Sequence, residues 1–425
     1  MTTISDSALL NSQASLAQRF QQVRSTTLRL AEPLSEEDAM VQSMPDASPA
    51  KWHLAHTTWF FETFILTECL DRYRIFNPEY RLLFNSYYKA LGGHPARQQR
   101  GTFSRPGFRN VLRYREHVDE AISRLLAGSP PPEVLRLVEL GLHHEQQHQE
   151  LILTDILHAM WTQPLRPAYT TPNEQMESNA APPLRWIEHS GGVVQLGAYG
   201  ECFSFDNERP RHSCMLATYR LASRLVTNAE YLDFMRDGGY QRAEFWLSDG
   251  WDTINREGWL APLYWEPSGD DNWHEFSLHG MAPLNLAAPV RHVSYYEADA
   301  FARWSGARLP LEGEWEMAAT ERAVAGNLLD GWALEARPAK AEPMEQQMFG
   351  DLWEWTSSAY LAYPGFRPAS GAIGEYNGKF MCNQFVLRGG SFATPASHLR
   401  ATYRNFFPPH VRWQFMGIRL ASDGR

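Results

Sequence analysis

Along the first third of the chain, apolar residues recur at intervals near 3.6, the period of a helix with one buried face. The segment SLAQRFQQVRSTTLRLAEPL predicts a first helix that ends at Pro33. DASPAKWHLAHTTWFFETFILTECL predicts a second, with Ser48 as N-cap and Pro49 at the first helical position. FRNVLRYREHVDEAISRLLAG predicts a third, stopped by Gly128, and a fourth runs from Glu133 to Met160. Four amphipathic helices of this length form a four-helix bundle. Between the second and third lies NPEYRLLFNSYYKALGGHPARQQRGTFSRPG, a connection long enough to suggest function. After residue 184 the pattern changes to short runs such as GGVVQLGAYG and FVLRGGSF, with few helical windows, for example NAEYLDFMRDGG and YYEADAFARWSG. That is an α+β domain with much irregular backbone. The Pro-rich stretch at 162–183 separates the two parts, giving a helical domain over 1–165, a linker over 166–184 and a second domain over 185–425. Glycine pairs recur without a fixed period, so no repeat architecture is expected.

Composition narrows the function classes. A chain of 425 residues with net charge −10 has no excess of Lys and Arg for a broad nucleic-acid footprint. No apolar window reaches the length of a membrane span. The opening MTTISDSALLNSQ lacks the basic and apolar pattern of a signal peptide, so the expected compartment is the cytoplasm, by exclusion. Cys69, Cys202, Cys214 and Cys382 are scattered and form no CxxC, which argues against a disulfide framework or a zinc-thiolate site. Small-molecule chemistry suits this balance.

The fourth helix contains LGLHHEQQHQEL. Leu137, Leu140, His144, His148 and Leu151 follow at intervals of 3, 4, 4 and 3, which is one helical face. His144 and His148 therefore stand one turn apart on the apolar stripe and can share a metal ion. His143 and Glu145 each lie about 100° to one side of His144, and Glu150 lies about 200° from His148, all poor positions for direct ligands. Gln147, three residues after His144, borders the site. In the second helix His56 shares an aromatic face with Trp52, Trp59, Phe60 and Phe64, while His53 lies one turn back, nearer the edge. A lone histidine on an apolar face is usually a satisfied core residue. His56, His144 and His148 on two facing helices point instead to a metal with open coordination positions. Three imidazoles without a thiolate suit zinc, iron, copper or nickel, and spacing does not choose among them.

Taken together, LAH of the second helix, HEQQHQE of the fourth, and then PVRHVSYYEADAFARWSGARLPLEGEWEMAA, GDLWEWTSS, FVLRGGSF and RNFFPPHVRWQFMGIRLA resemble the ergothioneine-biosynthesis sulfoxide synthases, the hercynine oxygenases. The resemblance covers nearly the whole chain. It implies a DinB-like bundle followed by a formylglycine-generating-enzyme-like domain, a fold related to C-type lectins. It implies that His56, His144 and His148 bind Fe(II), and that O2 is used to join a thiol sulfur to C2 of the imidazole of hercynine (trimethylhistidine), leaving a sulfoxide. Tyr87, with Tyr88 beside it, matches a catalytic tyrosine of one branch of the family, and Tyr376 is the counterpart expected in another. Arg97 and Arg100 match arginines that hold the thiol's carboxylate. Asn405 matches a hercynine anchor. Phe406, followed by Phe407, offers a π face to the trimethylammonium group, and Gln147 offers a contact from the bundle side. Actinobacterial members carry Trp-Asp where this chain has Phe406 and Phe407, so free cysteine is expected as the thiol rather than γ-glutamylcysteine. The C-terminal half has no paired cysteines, so formylglycine-generating activity is not expected.

Other readings remain at this point. They are the same chemistry on γ-glutamylcysteine, a histidine/cysteine sulfoxide synthase of ovothiol biosynthesis, a zinc-dependent thiol transferase, and a metal-binding module without catalysis.

Overall fold

The computed structural model describes residues 6–86, 88, 92–171, 180–269, 272–369, 374 and 377–424. The chain divides into two compact units, Met1–Tyr169 and Thr170–Arg425. The first is a bundle of four long helices, α1 (Asp6–Ala31), α2 (Ala50–Phe61), α3 (Phe108–Ala127) and α4 (Pro132–Thr162). α1 packs on α3 and α4, and α2 packs on the same two. The interior is filled by Phe20, Leu54, Trp59, Phe61, Val118, Leu142 and Leu153, all but excluded from water.

α2 departs from the expected one-sided stripe. All twelve of its residues are buried. The polar ones are satisfied locally, as burial requires. Thr58 Oγ1 donates to the Leu54 carbonyl at 2.7 Å and Lys51 Nζ to the Phe103 carbonyl at 2.6 Å. Ser48 is not the N-cap. Pro49 takes that position without a side-chain cap bond, and the Ser48 hydroxyl instead accepts from Arg100 Nη1 at 2.8 Å. α2 ends in a widened π-turn over Glu62–Leu66. Buried Glu62 binds across the bundle there, accepting from the hydroxyls of Tyr73 and Tyr114 at 2.7 Å each.

α4 is also enclosed on more than one side. His143, Glu145, Gln146, Gln149 and Glu150 are all buried together with His144 and His148. Gly141 explains how α2 comes so close: a Cβ there would lie 2.6 Å from Phe61 Cε1. Behind the histidines, Glu145 accepts from Arg24 Nη1 at 2.8 Å, from Thr27 Oγ1 at 2.6 Å and from Arg115 Nη2. Burial alone would push its carboxyl up, but Arg115 and Arg24 outweigh that and hold it down to about 2. One carboxylate thus ties α4 to α1 and α3.

The second unit contains β1 (Trp186–His189), β2 (Gly192–Leu196), β3 (His212–Leu216), β4 (Tyr219–Ala222), β5 (Trp265–Pro267), β6 (Trp273–Ser277) and β7 (Gly280–Pro283). These are followed by β8 (Trp353–Ala359), β9 (Phe385–Arg388), β10 (Asn405–Phe407), β11 (Met416–Gly417) and β12 (Ala421–Asp423). They form a four-stranded sheet in the order β10-β9-β8-β11, three-stranded sheets β1-β4-β12 and β5-β6-β7, and the hairpin β2-β3. Helices α5 (Asn228–Arg236), α6 (Ser248–Glu257), α7 (Tyr295–Trp304) and α8 (Glu312–Ala319) complete it. The core is held by buried ion pairs as well as apolar contacts. Glu354 of β8 accepts from Arg419 Nε at 2.6 Å and from Trp315 Nε1 at 2.9 Å, and Arg388 of β9 reaches Glu316 at 3.0 Å. Glu354, Arg388 and Arg419 belong to the motifs GDLWEWTSS, FVLRGGSF and GIRLA, and Trp315 and Glu316 to LEGEWEMAA, so in them the recurring charges serve the core. Helix and sheet together give the α+β class expected from the sequence.

Candidate metal centre

α2 presents His56 and α4 presents His144 and His148, one turn apart, to a common point. One nitrogen from each lies within 4.8 Å of the other two, and all three residues are buried. Their ring centroids are 5.0, 4.9 and 4.7 Å apart, close to an equilateral triangle. Burial keeps all three neutral. It lowers His56 and His148 well below the usual imidazole range, aided by neighbouring His144, and takes His144 to about 3. Neutral imidazole is the form that ligates a metal.

The partners of two ligands fix their tautomers. His56 Nδ1 lies 2.7 Å from the carbonyl of Phe84, so it carries the proton and Nε2 keeps the lone pair. That Nε2 is buried and has no hydrogen-bond partner among the described residues. His148 Nδ1 lies 2.7 Å from His53 Nδ1, and His53 Nε2 lies 3.1 Å from Asp155 Oδ2. The carboxylate places the His53 proton on Nε2, so His53 Nδ1 accepts from His148 and the lone pair of His148 falls on Nε2. Three buried neutral imidazoles, two of them with their N–H held by partners on the far side of the ring, fit a borderline divalent metal.

The surroundings are aromatic. His56 stacks between Trp52 at 4.5 Å and 12° and Trp59 at 5.4 Å and 15°. The Arg100 guanidinium lies over the Trp52 indole, 3.4 Å from its ring centre, and donates to the Ser48 and Ser86 hydroxyls at 2.8 Å each. Arg97, three residues earlier in the same 3-10 turn, is half-exposed beside Asp46. The long connection between α2 and α3 therefore meets this site twice, at His56 through the Phe84 carbonyl and at Trp52 through Arg100.

Tyr88 is buried against Trp59 and Phe64, at ring distances of 5.6 and 5.1 Å. Tyr87 and Tyr376 lie outside the described residues. Gln147 is half-buried on α4. In the second unit Asn405, Phe406 and Phe407 form β10. Phe406 stacks on Tyr360 at 4.0 Å and 11°, with Phe380 at 6.0 Å and 28°.

His53 and Asp155 are what the sequence reading missed. His53 is 2% exposed, not at an edge. Asp155 follows His148 by seven residues, two helical turns, so the same spacing argument that selected His144 and His148 places it on their face.

Residues 19–152 match the DinB superfamily, and residues 172–345 and 345–424 match the sulfatase-modifying factor enzyme 1-like domain. The chain is 31% identical to the hercynine oxygenase of Mycobacterium tuberculosis, over 97% of this chain and 100% of that protein. It is 31% identical to the hercynine oxygenase of Mycolicibacterium smegmatis, over 96% of this chain and 98% of the relative. Ergothioneine biosynthesis protein 1 of Schizosaccharomyces pombe is 27% identical over 52% of this chain and 28% of its own length. Among the described residues no helix is long and apolar enough to cross a membrane.

Proposed function

Because the chain belongs to the hercynine oxygenase family, along nearly its whole length, we propose that it joins the sulfur of cysteine to C2 of the imidazole of hercynine, with Fe(II) and O2, in ergothioneine biosynthesis. The observation that carries this reading is the buried triangle of His56, His144 and His148. Three protein ligands leave positions open for substrates, so their encounter becomes a reaction within one complex.

The balance of the reaction is simple. Forming the carbon–sulfur bond removes hydrogen from C2 and from the thiol, and one oxygen atom goes to sulfur. The other leaves as water with those two hydrogens. Iron(II), when bound, supplies the electron transfer that O2 needs to react with paired-electron substrates. The chain's own residues bind and orient. Arg97 and Arg100, at the first and fourth positions of one 3-10 turn, hold the carboxylate of the thiol substrate. Phe406, with Tyr360 and Phe380 beside it, gives the trimethylammonium group an aromatic platform, and Asn405 of the same strand supplies a polar contact to hercynine. Phe407 follows in the same strand where actinobacterial members have a carboxylate, which favours cysteine over γ-glutamylcysteine. Tyr87 donates a proton or hydrogen atom and so diverts the reaction from simple thiol oxidation.

The test is anaerobic reconstitution with Fe(II), exposure to O2, and mass analysis of products from hercynine with each thiol. Hercynylcysteine sulfoxide from cysteine is the expected product. Activity that follows zinc and needs no oxygen would make the protein a thiol transferase. Comparable turnover of unmethylated histidine would remove the role given to Phe406.

A further inference from the structure

We propose that Asp155 and His53 form a positioning relay for the metal ligand His148, fixing its tautomer and its ring orientation through two imidazoles in series. The inference rests on the metal-centre reading above and extends it to residues that touch neither substrate nor metal.

The geometry runs across α4 and α2. Asp155 Oδ2 accepts the backbone N–H of Ser48 at 2.7 Å and faces His53 Nε2 at 3.1 Å. His53 Nδ1 then meets His148 Nδ1 at 2.7 Å. Two imidazole nitrogens at that distance must share one proton between donor and acceptor, so the carboxylate at the far end decides which ring donates. With Asp155 Oδ2 as the acceptor, His53 carries its N–H on Nε2 and accepts through Nδ1. His148 must then donate through Nδ1 and present Nε2. His53 and Asp155 are 2% and 7% exposed, so water does not compete for these positions.

Ligating histidines commonly give their second N–H to a carboxylate or a carbonyl, and losing that partner weakens metal binding by about 10–100-fold. His56 follows the simple form, with the Phe84 carbonyl as partner. His148 differs in having a second imidazole between itself and the carboxylate. That insertion makes one oxygen serve two tasks. Asp155 Oδ2 orders the tautomer of a ligand on its own helix and anchors Ser48, two residues before α2 begins. Ser48 in turn accepts from Arg100, so the relay and the arginine beside Trp52 share a hinge residue.

The test uses the full chain and two readouts other than turnover: Co(II) affinity by anaerobic titration, and the ligand-field absorption of the Co(II)-loaded protein. His53→Leu should weaken Co(II) binding by about 10–100-fold and alter the spectrum. His53→Gln, whose amide can donate to Asp155 and accept from His148, should recover most of the affinity. Asp155→Asn should stay near the parent, because its carbonyl oxygen can still accept from both Ser48 and His53. Asp155→Leu, which cannot accept, should behave like His53→Leu. Circular dichroism checks the helices of each variant. Should His53→Leu not fold, the contrast between Asp155→Asn and Asp155→Leu carries the same decision. Parent-like affinity and spectrum in both leucine variants, with the parent binding metal, would overturn the relay alone. A parent chain that takes up neither Fe(II) nor Co(II) would overturn the metal centre and the relay with it.

Discussion

His144 forms one corner of the histidine triangle, one turn before His148 on α4 and facing His56 of α2. Replacing it with alanine should therefore abolish Fe(II) uptake, measured by metal analysis, while helical circular dichroism stays close to the parent. Retained iron would remove His144 from the site. Tyr87→Phe should slow sulfoxide formation and raise thiol dioxygenation in a product assay. A silent Tyr87→Phe beside an impaired Tyr376→Phe would move the catalytic tyrosine to the second unit. A third residue sets a pH dependence. Burial pushes the Asp351 carboxyl from its ordinary 3.8 up to about 6, despite hydrogen bonds from Arg337 N–H at 2.8 Å and Asn327 Nδ2 at 2.7 Å. The folded chain then holds a proton that the unfolded chain has lost. The stability this gives is present below about pH 4 and is lost as pH rises through about 6. Denaturant titrations of the parent and of Asp351→Asn should diverge across that window by on the order of 3 kcal/mol, with the parent losing ground as pH rises. A difference that stays flat from pH 4 to 7 would dismiss the assignment.

Helix α4 has two working sides. One carries His144 and His148, and the other carries Glu145 within its ring of Arg24, Thr27 and Arg115. Glu145→Ala leaves two arginines buried without their shared carboxylate. It should cost about 3–5 kcal/mol in thermal or denaturant unfolding of the bundle. A loss below 1 kcal/mol would mean that water or Asp119 compensates. Gly141→Ala should also destabilise, by about 1–3 kcal/mol, because the added methyl meets the Phe61 and Phe60 rings, which are packed in the core. Apolar spacing made the four helices and the i, i+4 histidine pair legible. It did not reveal that α2 is buried on every side, since a one-sided stripe and an enclosed helix share the same apolar positions when the remainder are Thr, His and Lys that find partners. Nor did it reveal the ion network, because Glu145, Arg24 and Arg115 read singly as surface charges. Pairing is a property of three helices at once.

At the scale of the whole molecule, the sequence pattern changes after residue 184, beyond a Pro-rich stretch, and the structure divides between Tyr169 and Thr170. The strand order of the second unit was not legible. Short strands separated by irregular backbone carry little register information, and Glu354, Arg388 and Arg419 show their pairing only once β8, β9 and the C-terminal segment lie together. Metal binding should be felt unevenly across this division. An ion that binds only the folded form stabilises it by about 2.7 kcal/mol at a hundredfold excess over Kd. Hydrogen exchange should slow in α2 and α4 on adding Fe(II) or Co(II) without oxygen. Equal slowing in β8 and β9 would argue that the ligands are not the bundle histidines. The stack of Trp52, His56 and Trp59 has one more consequence, for the lifetime of the enzyme. Indole is among the most easily oxidised side chains, and two of them flank a proposed ligand of an oxygen-consuming centre. When thiol or hercynine runs short, oxidising equivalents have a path into those rings. Enzyme that loses activity during starved turnover should carry oxygen adducts on the peptide spanning Trp52 and Trp59, and enzyme kept saturated with both substrates should not.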